Sequence, residues 1–277
     1  MYGDRPQLYL GSRKESAVLI RGAARTDRGK VRQKNEDAFG FFPSTAFYVV
    51  ADGMGGHVGG TIASSLAVET MRLSVEETQG GELTPVTDPH GWRAVGWRRL
   101  CIAIQQANSK LFETSEHEPT LKGMGTTIAA ILFDDEDGLV TICHVGDSRV
   151  YRVRAGSIEL LTEDHSLVQQ LLREGKIAVA EVKTFPHRHV LTQAVGVSPS
   201  VQPAVRIEKP QLGDIFLISS DGMHGTVDEA EILEVITQEE ANLQHACDIL
   251  VDLANDRGGW DNSTVILLQW EESAPQV

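Results

Sequence analysis

The sequence is organised around nine residues, Val49-Val50-Ala51-Asp52-Gly53-Met54-Gly55-Gly56-His57 (49–57). An apolar run over residues 47–51 stops there at an acid and then at glycines. A run bounded in this way is typical of a buried strand, so Asp52 is predicted where a strand opens into a loop. The same order returns where the apolar run 215–218 leads through two serines to Asp221 and Gly222. Two buried strands that each end in Asp-Gly predict two carboxylates at one edge.

Composition narrows the kind of protein before any motif is considered. The chain has 277 residues, of which 41% are hydrophobic and 23% charged, as in globular proteins. Its net charge of −14 argues against nucleic acid or an anionic membrane as the main partner. Cys101, Cys143 and Cys247 lie far apart among apolar neighbours, which predicts buried free thiols and a cytoplasmic location. No stretch approaches about eighteen apolar residues and the N-terminus has no apolar signal region, so no membrane segment is predicted.

The spacing of apolar residues predicts both helices and strands. Helices are expected over 61–77, 92–114, 164–174, 226–236 and 243–255, and strands over 18–24, 38–42, 47–51, 125–133, 139–145, 150–154, 157–161, 201–208, 215–219 and 263–270. The predicted buried faces are Ile62, Leu66 and Leu73 in the first helix, Leu100, Ile104, Ala107 and Leu111 in the second, and Leu243, Cys247, Leu250 and Ala254 in the last. A capping box over residues 226–229 is expected to open the fourth helix.

The order of these elements predicts the fold class. Strands cluster, helices come in consecutive pairs, and strand-helix units do not alternate strictly. This order favours an α+β protein with mainly antiparallel sheets over a doubly wound parallel sheet. We predict a single domain over 17–271, with tails at 1–16 and 272–277.

Several acids lie beside the predicted buried strands. Asp52 and Asp221 follow strands, and Asp261 precedes the last strand. Because the end of one antiparallel strand lies beside the start of its neighbour, all three are expected at one sheet edge. Glu36 and Asp37 directly precede a strand and are expected to join them. Gathered carboxylates repel one another unless a cation lies between them, and all-oxygen ligands favour Mg²⁺ or Mn²⁺. Two such ions polarise a phosphoryl oxygen and lower the pKa of a water molecule.

Arg32 lies four residues before Glu36 on the same polar segment. A guanidinium can hold two oxygens of a phosphate in a fixed fork. A single arginine on a loop is more often a solvated charge or part of a surface salt bridge. Its spacing alone therefore leaves both interpretations open.

Six segments, taken in order, resemble the type 2C family of metal-dependent protein phosphatases (PPM) in its bacterial branch. They are Arg-Thr-Asp-x-Gly-x-x-Arg-x-x-Asn-Glu-Asp at 25–37, Asp-Gly-Met-Gly-Gly-His at 52–57, Gly-Met-Gly-Thr-Thr at 123–127, His-Val-Gly-Asp-Ser-Arg at 144–149, Ser-Ser-Asp-Gly at 219–222 and Asp-Asn-Ser-Thr at 261–264. The resemblance implies a central β-sandwich of two antiparallel sheets flanked by pairs of α-helices, in α-β-β-α layers. It also implies a hydrolase that removes phosphate from phosphoserine and phosphothreonine in proteins by direct attack of a metal-bridging hydroxide.

The resemblance also implies roles for individual residues. Asp52, Asp221 and Asp261 match direct ligands of two Mn²⁺ or Mg²⁺ ions. The remaining implied metal-site residues are the backbone carbonyl of Gly53, the water-holding acids Glu36 and Asp37, and Asp147, which with Asp221 matches a third-ion site. Arg32 matches the phosphate clamp, and residues 164–192 match a flap beside the site.

The chain departs from the family pattern at three places. Met54 occupies the position where animal members have a histidine general acid. The nearby His57 could take that role, although a histidine after glycines is more often a loop or surface residue. Gly225 stands where many bacterial members have an acid, and this weakens the third ion site. A Pro-x-Arg-Asn pattern after the flap is replaced by Pro-His-Arg-His at 186–189.

Two other functions are considered. A phosphoprotein-binding regulatory module of the same fold is disfavoured because the predicted ligands Asp52, Asp221 and Asp261 are all present. A phosphodiesterase or nuclease is disfavoured because such sites commonly include histidines and nucleases carry basic grooves. The expected partners are phosphorylated proteins, the substrates of a Ser/Thr kinase.

Overall fold

The structure is a computed structural model that describes residues 9–10, 18–56, 58–81, 83–84, 86–87, 93–134 and 138–272. The strands are β1 (Tyr9–Leu10), β2 (Val18–Asp27), β3 (Asp37–Phe42), β4 (Phe47–Met54), β5 (Val86–Thr87), β6 (Arg93–Ala94), β7 (Gly125–Thr126), β8 (Ile128–Asp134), β9 (Leu139–Val145), β10 (Arg149–Arg154), β11 (Ser157–Leu160), β12 (Ala204–Glu208), β13 (Ile215–Ser219) and β14 (Ser263–Glu272). The α-helices are α1 (Gly59–Glu77), α2 (Gly96–His117), α3 (Leu167–Arg173), α4 (Asp221–His224), α5 (Glu229–Gln238) and α6 (Leu243–Asp256). Short 3-10 helices lie at Pro43–Thr45, Pro119–Leu121 and Val179–Thr184.

Two six-stranded sheets form the centre of the molecule. Sheet A has the strand order β1-β2-β14-β13-β10-β11, and sheet B has the order β12-β9-β8-β4-β3, with β7 also paired to β4. Every paired strand in both sheets is antiparallel. A separate short ladder joins β5 and β6. The prediction of mainly antiparallel sheets is confirmed.

Three apolar clusters define four layers. Helices α1 and α2 pack on the outer face of sheet B through a cluster that includes Met71, Leu111 and Val145. Helices α4 to α6 pack on the outer face of sheet A through a cluster that includes Leu250 and Leu267. A third cluster fills the space between the sheets. The predicted β-sandwich flanked by pairs of helices, in α-β-β-α layers, is therefore confirmed.

Two of the three predicted helix faces are correct. The predicted face of α2 and the predicted face of α6 are buried along their whole length. In α1, Leu73 is instead 45% exposed, so that part of the prediction is wrong. The small residues Ala63 and Ala67, with Met71, form the buried face of α1, because they let the helix approach sheet B closely.

Several predicted boundaries differ from the structure, and two of these differences have a clear physical cause. Strand β4 continues through Gly53 to Met54, because β7 pairs with these two residues. The strand predicted over 47–51 therefore ended three residues too early. Helix α5 is opened by a capping box in which Asp228 accepts from the amide of Glu231, whose side chain reaches back. The box lies two residues beyond the predicted one.

The remaining sequence predictions concern the termini, the thiols and the membrane. The predicted tails at 1–16 and 272–277 lie mostly outside the described residues, and their structure stays a prediction. All three thiols are free; Cys143 and Cys247 are buried, whereas Cys101 is half-buried. In the part of the chain that the structure describes, no helix combines the length and apolar character needed to cross a bilayer.

Candidate metal centre

Each sheet brings a pair of acids to the same end of the sandwich. Asp37 and Asp52 are direct partners across the β3–β4 ladder of sheet B. Asp221 follows β13 and Asp261 precedes β14, and these two strands are neighbours in sheet A. The acids were expected at the edge of one sheet. The structure corrects this point, because the two pairs come from different sheets and meet between them.

The acids of the two pairs are close enough to raise one another's pKa values. Burial, followed by the charges of Asp37 and Asp221, raises the pKa of Asp52 well above its ordinary value. Burial raises the pKa of Asp37 to about 7, and the charges of Asp221 and Asp261 add to the rise. Burial and then Asp261 raise the pKa of Asp221, although a hydrogen bond with Asp52 lowers it in part. Mutual repulsion of this kind is relieved when a cation binds between the carboxylates.

Two hydroxyl groups hold one side of the Asp37 carboxylate. Its Oδ2 accepts hydrogen bonds from Ser220 Oγ at 2.7 Å and from Thr264 Oγ1 at 2.6 Å. The amide of Thr264 donates to Ser220 Oγ at 2.9 Å, so the two donors are themselves linked. The other oxygen, Asp37 Oδ1, is buried without a hydrogen-bond partner among the described residues, and Asp221 Oδ1 is in the same condition. Unsatisfied buried carboxylate oxygens are suited to ligate a metal ion.

Glycines bring a backbone carbonyl against the acidic site. The amide of Gly53 donates to the carbonyl of Glu36 at 3.1 Å. A Cβ atom on Gly53 would lie 2.1 Å from the carbonyl oxygen of Gly60. A Cβ atom on Gly60 would lie 2.9 Å from both Glu36 Oε1 and the carbonyl oxygen of Gly53. The Glu36 carboxylate and the Gly53 carbonyl are therefore neighbours, as the predicted ligand set requires.

Asn262 fixes the loop that carries Glu36. Its side-chain oxygen accepts from the amide of Glu36 at 2.8 Å. Its side-chain nitrogen donates to the carbonyl oxygens of Arg28 and Lys34, at 2.8 and 3.0 Å. The segment that carries Arg32 and Glu36 is thus tied to the residue after Asp261.

Arg32 lies at the rim of the site. Its Nη2 donates to Asp261 Oδ2 at 2.6 Å, and its side chain is 49% exposed. Partial burial lowers the pKa of Arg32, but the charges of Asp261, Glu36 and Asp52 outweigh this effect and raise it. A guanidinium that lies beside the acids and is open to solvent can bind phosphate oxygens next to bound cations.

Asp147 also belongs to the acidic site. It lies on the β9–β10 connection, and burial, followed by the charges of Asp221 and Asp164, raises its pKa to about 7. Asp164, which the sequence analysis did not single out, forms a two-pronged ion pair with Arg149 at 2.7 and 2.9 Å. In the sequence, Asp164 could have been noticed only as the first residue of the predicted flap, 164–192.

Gly225 and two histidines complete the comparison with the predicted site. A Cβ atom on Gly225 would lie 2.6 Å from the carbonyl oxygen of Asp221, so an acid at that position would require the backbone to shift. His189 is exposed, as expected, but its charge reaches the site and lowers the pKa of Asp221. His57, the candidate general acid, lies outside the described residues.

The residues fit a hard divalent cation, with one qualification. Among the described parts of the chain, no three His, Cys, Asp or Glu side chains converge closely enough to enclose an ion by themselves. Asp261 is turned to Arg32, and the Gly53 carbonyl, which is a backbone group, belongs to the predicted ligand set. The all-oxygen donors, the two unsatisfied oxygens of Asp37 and Asp221 and the mutual repulsion of the acids all favour Mg²⁺ or Mn²⁺.

The sequence analysis assigned no role to the polar residues that position these acids. Besides Ser220 and Thr264, Thr127 Oγ1 accepts from the amide of Asp52 at 3.0 Å and lies 2.7 Å from Ser148 Oγ. All four side chains are buried. In the sequence, these residues could have been noticed as serines and threonines that lie within or beside an apolar strand and next to a predicted ligand.

Comparisons with known proteins agree with the six segments. The family model described as "Protein phosphatase 2C" matches residues 21–246, a range that includes Arg32, Asp52 and Asp221 and ends before Asp261. Serine/threonine phosphatase stp of Listeria innocua is 36% identical over 248 residues, which are 88% of this chain and 94% of that protein. Serine/threonine protein phosphatase PstP of Mycobacterium tuberculosis is 36% identical over 252 residues, 90% of this chain and 45% of that protein.

Solved structures show the same similarity in three dimensions. The crystal structure of the Mycobacterium tuberculosis serine/threonine phosphatase PstP/Ppp has a TM-score of 0.79 and 34% identity, and the match covers 91% of this chain and 99% of that chain. The catalytic domain of PstP in complex with 2 manganese ions has a TM-score of 0.78 and 33% identity, covering 92% of this chain and 99% of that chain.

Proposed function

Because the chain belongs to the protein phosphatase 2C family, we propose that the acidic centre between its sheets is the active site of a Ser/Thr phosphatase. The chain is a hydrolase of this class, and its cofactor is Mn²⁺ or Mg²⁺. The observation that carries the assignment of the site is the convergence of Asp37 and Asp52 from one sheet with Asp221 and Asp261 from the other. Arg32 lies against this acidic group.

The proposed ligands divide into three groups. Asp52, Asp221 and Asp261, with the carbonyl oxygen of Gly53, would hold two ions directly. Glu36 and Asp37 would hold water molecules of those ions, and Asp147 with Asp221 would provide a third position. The unsatisfied oxygens of Asp37 and Asp221 support these roles, because each is buried and otherwise without a partner among the described residues.

The side chains of this protein orient the substrate and hold the metal-site acids in position. When bound, the two ions lower the pKa of a water molecule and polarise the phosphoryl oxygens. Arg32 binds phosphate oxygens through its planar fork, and its contact with Asp261 keeps the guanidinium beside the acids. Ser220 and Thr264 keep Asp37 in one orientation throughout. A water molecule or His57 is the candidate for giving a proton to the leaving serine or threonine oxygen.

The substrates follow from the reaction class. They are phosphorylated proteins, and the opposing enzyme is a Ser/Thr kinase. We place the protein in the cytoplasm, where free thiols such as Cys143 and Cys247 stay reduced. A regulatory module without catalysis is not favoured, because the predicted ligand acids are present and gathered.

Hydrolysis of a phosphothreonine peptide tests the proposal. Phosphate release is measured with Mn²⁺, with Mg²⁺ and with chelator, for the wild type, Asp221→Asn and the control Asp256→Asn. Asp256 is an exposed acid paired with Lys30 at 3.2 Å. We expect metal-dependent release that falls at least about a hundredfold in Asp221→Asn and is unchanged in the control. Near-normal turnover of Asp221→Asn at saturating Mn²⁺ would contradict the ligand assignment.

A second pair of variants tests the phosphate clamp. Arg32→Ala should raise KM roughly tenfold to a hundredfold, because it removes charge-assisted hydrogen bonds to the phosphate. Arg28→Ala is the matched control, since Arg28 is an exposed arginine on the same loop and donates to the carbonyl of Gln33 at 3.3 Å. An unchanged KM in Arg32→Ala would show that this guanidinium does not bind substrate.

A further inference from the structure

Two exposed apolar side chains lie beside the phosphate clamp. Trp260 is 67% exposed and directly precedes the proposed ligand Asp261, and Val31 is 55% exposed and directly precedes Arg32. A tryptophan is usually largely buried, so an open indole one residue from a metal ligand needs an explanation.

The backbone brings these two residues together. The amides of Lys30 and Val31 both donate to the carbonyl oxygen of Gly259, at 2.8 and 3.1 Å. One residue further along each segment, Arg32 contacts Asp261 at 2.6 Å. Val31 and Trp260 therefore flank the contact between the clamp and the acidic centre.

The indole lies against the backbone of Gly258. A Cβ atom on Gly258 would lie 2.1 Å from Trp260 Nε1, 2.6 Å from Cε2 and 2.8 Å from Cδ1. The five-membered ring thus lies directly over the backbone of Gly258, which has φ of +125° and no side chain to obstruct it. A side chain ordered before binding loses little further freedom when a ligand covers its open face.

We propose that Trp260 and Val31, here named the apolar shelf, bind an apolar side chain of the phosphoprotein next to its phosphorylated residue. The inference rests on the proposed function and extends it from the phosphate to the surrounding peptide. Because an extended peptide advances about 3.3–3.6 Å per residue, the bound side chain lies within about three residues of the phosphoserine or phosphothreonine. An apolar occupant fits because covering the indole and the valine methyl groups removes hydrocarbon surface from water.

The test compares two phosphothreonine peptides and one small substrate. The first peptide carries leucine at the three positions on each side of the phosphothreonine, the second carries serine there, and the small substrate is free phosphothreonine. The proteins are the wild type, Trp260→Ala, Trp260→Phe and Leu212→Ala. Leu212 is a matched control because it is 61% exposed and lies on the connection between β12 and β13.

We expect the wild type to prefer the leucine peptide by about tenfold in kcat/KM, mainly through KM. Trp260→Ala should lose most of this preference. Its decrease in kcat/KM on the leucine peptide should be about tenfold larger than its decrease in kcat/KM on free phosphothreonine. Trp260→Phe should keep part of the preference because a ring remains, and Leu212→Ala should behave as the wild type.

Equal kcat/KM for the two peptides in the wild type, or an unchanged preference in Trp260→Ala, would overturn the shelf while the metal-dependent release of phosphate still supports the phosphatase. Absence of metal-dependent release from all three substrates would overturn both proposals. Sedimentation of the wild type and of Trp260→Ala tests whether a second copy of the chain binds to the shelf instead. A wild type that is dimeric and a variant that is monomeric would show that it does, and would overturn the proposal.

Discussion

The hydroxyl of Thr264 provides a test of how the acidic centre is held. Thr264→Val keeps the shape of the side chain and removes two hydrogen bonds, one to Asp37 Oδ2 at 2.6 Å and one with Thr26 Oγ1 at 2.7 Å. At pH 8, above the pKa of about 7 for Asp37, the first bond is charge-assisted. Such a bond contributes about 1.5–3 kcal/mol, and the neutral bond about 0.5–1.5 kcal/mol.

The expected loss is therefore about 2–4.5 kcal/mol in the free energy of unfolding. Thr26 keeps a partner, because Asn35 Nδ2 still donates to its hydroxyl at 2.8 Å. Asp37 keeps the Ser220 donor, so its carboxylate is less firmly oriented but remains paired. The assay is urea unfolding at pH 8 with chelator, followed by calorimetric titration with Mn²⁺, in which the variant should bind roughly tenfold more weakly.

Thr141→Val is the matched control. Thr141 is a fully buried strand threonine like Thr264, but its Oγ1 has no hydrogen-bond partner among the described residues. Replacing that hydroxyl with a methyl group should be neutral or stabilising. Equal losses in the two variants, or a loss below about 1 kcal/mol in Thr264→Val, would refute the argument that the bonds to Asp37 stabilise the centre.

Three further predictions concern other parts of the fold. Glu208→Ala should lower the free energy of unfolding in urea by roughly 3 kcal/mol, because it removes a carboxylate 2.7 Å from Arg152, whose side chain is only 11% exposed. An unchanged urea midpoint would contradict this prediction. Burial first, and then the charge of His144, lower the pKa of His165 from 6.5 to about 4, so the unfolded chain binds more protons and the stability of the fold decreases as pH falls from about 6.5 to about 4. His165→Phe should therefore make the free energy of unfolding less pH-dependent in that window, and an equal pH dependence in the variant would refute the prediction. Gly222→Ala should lower the free energy of unfolding by about 1–3 kcal/mol and reduce Mn²⁺-dependent kcat/KM, because its Cβ would lie 1.9 Å from the carbonyl oxygen of Asn262. A melting temperature and a kcat/KM equal to those of the wild type would show that the backbone shifts without cost.

The sequence predicted the elements well because local periodicity determines most of them. The face of α2 through Leu100 and Leu111 follows from its spacing alone. The face of α1 did not follow, because its buried residues Ala63 and Ala67 are small and Leu73, which the spacing placed inside, is exposed. The α+β sandwich could be predicted because the apolar spacing marks most of its strands and because the six family-like segments follow one another in the family's order.

The site was predictable in its members but not in its arrangement. The Asp-Gly strand ends identified Asp52 and Asp221 as neighbours. The sequence could not assign them to different sheets, since that depends on strand pairs far apart in the chain. For the same reason it missed the contact of Arg32 with Asp261, which are 229 positions apart, and the hydroxyl donors to Asp37.

The pairing of β2 with β14 has a consequence for biosynthesis. These strands are adjacent in sheet A, in register from Asp27 opposite Ser263 to Val18 opposite Glu272, and β14 also separates β2 from β13. Sheet B ends with β12 at Glu208, so all of its strands leave the ribosome before β14 is made. Sheet A can close only when the final strand arrives, and Asp261 arrives with it. A nascent chain can therefore pair Asp37 with Asp52 before Asp261 joins Asp221, and the four acids can gather only after β14 has been made.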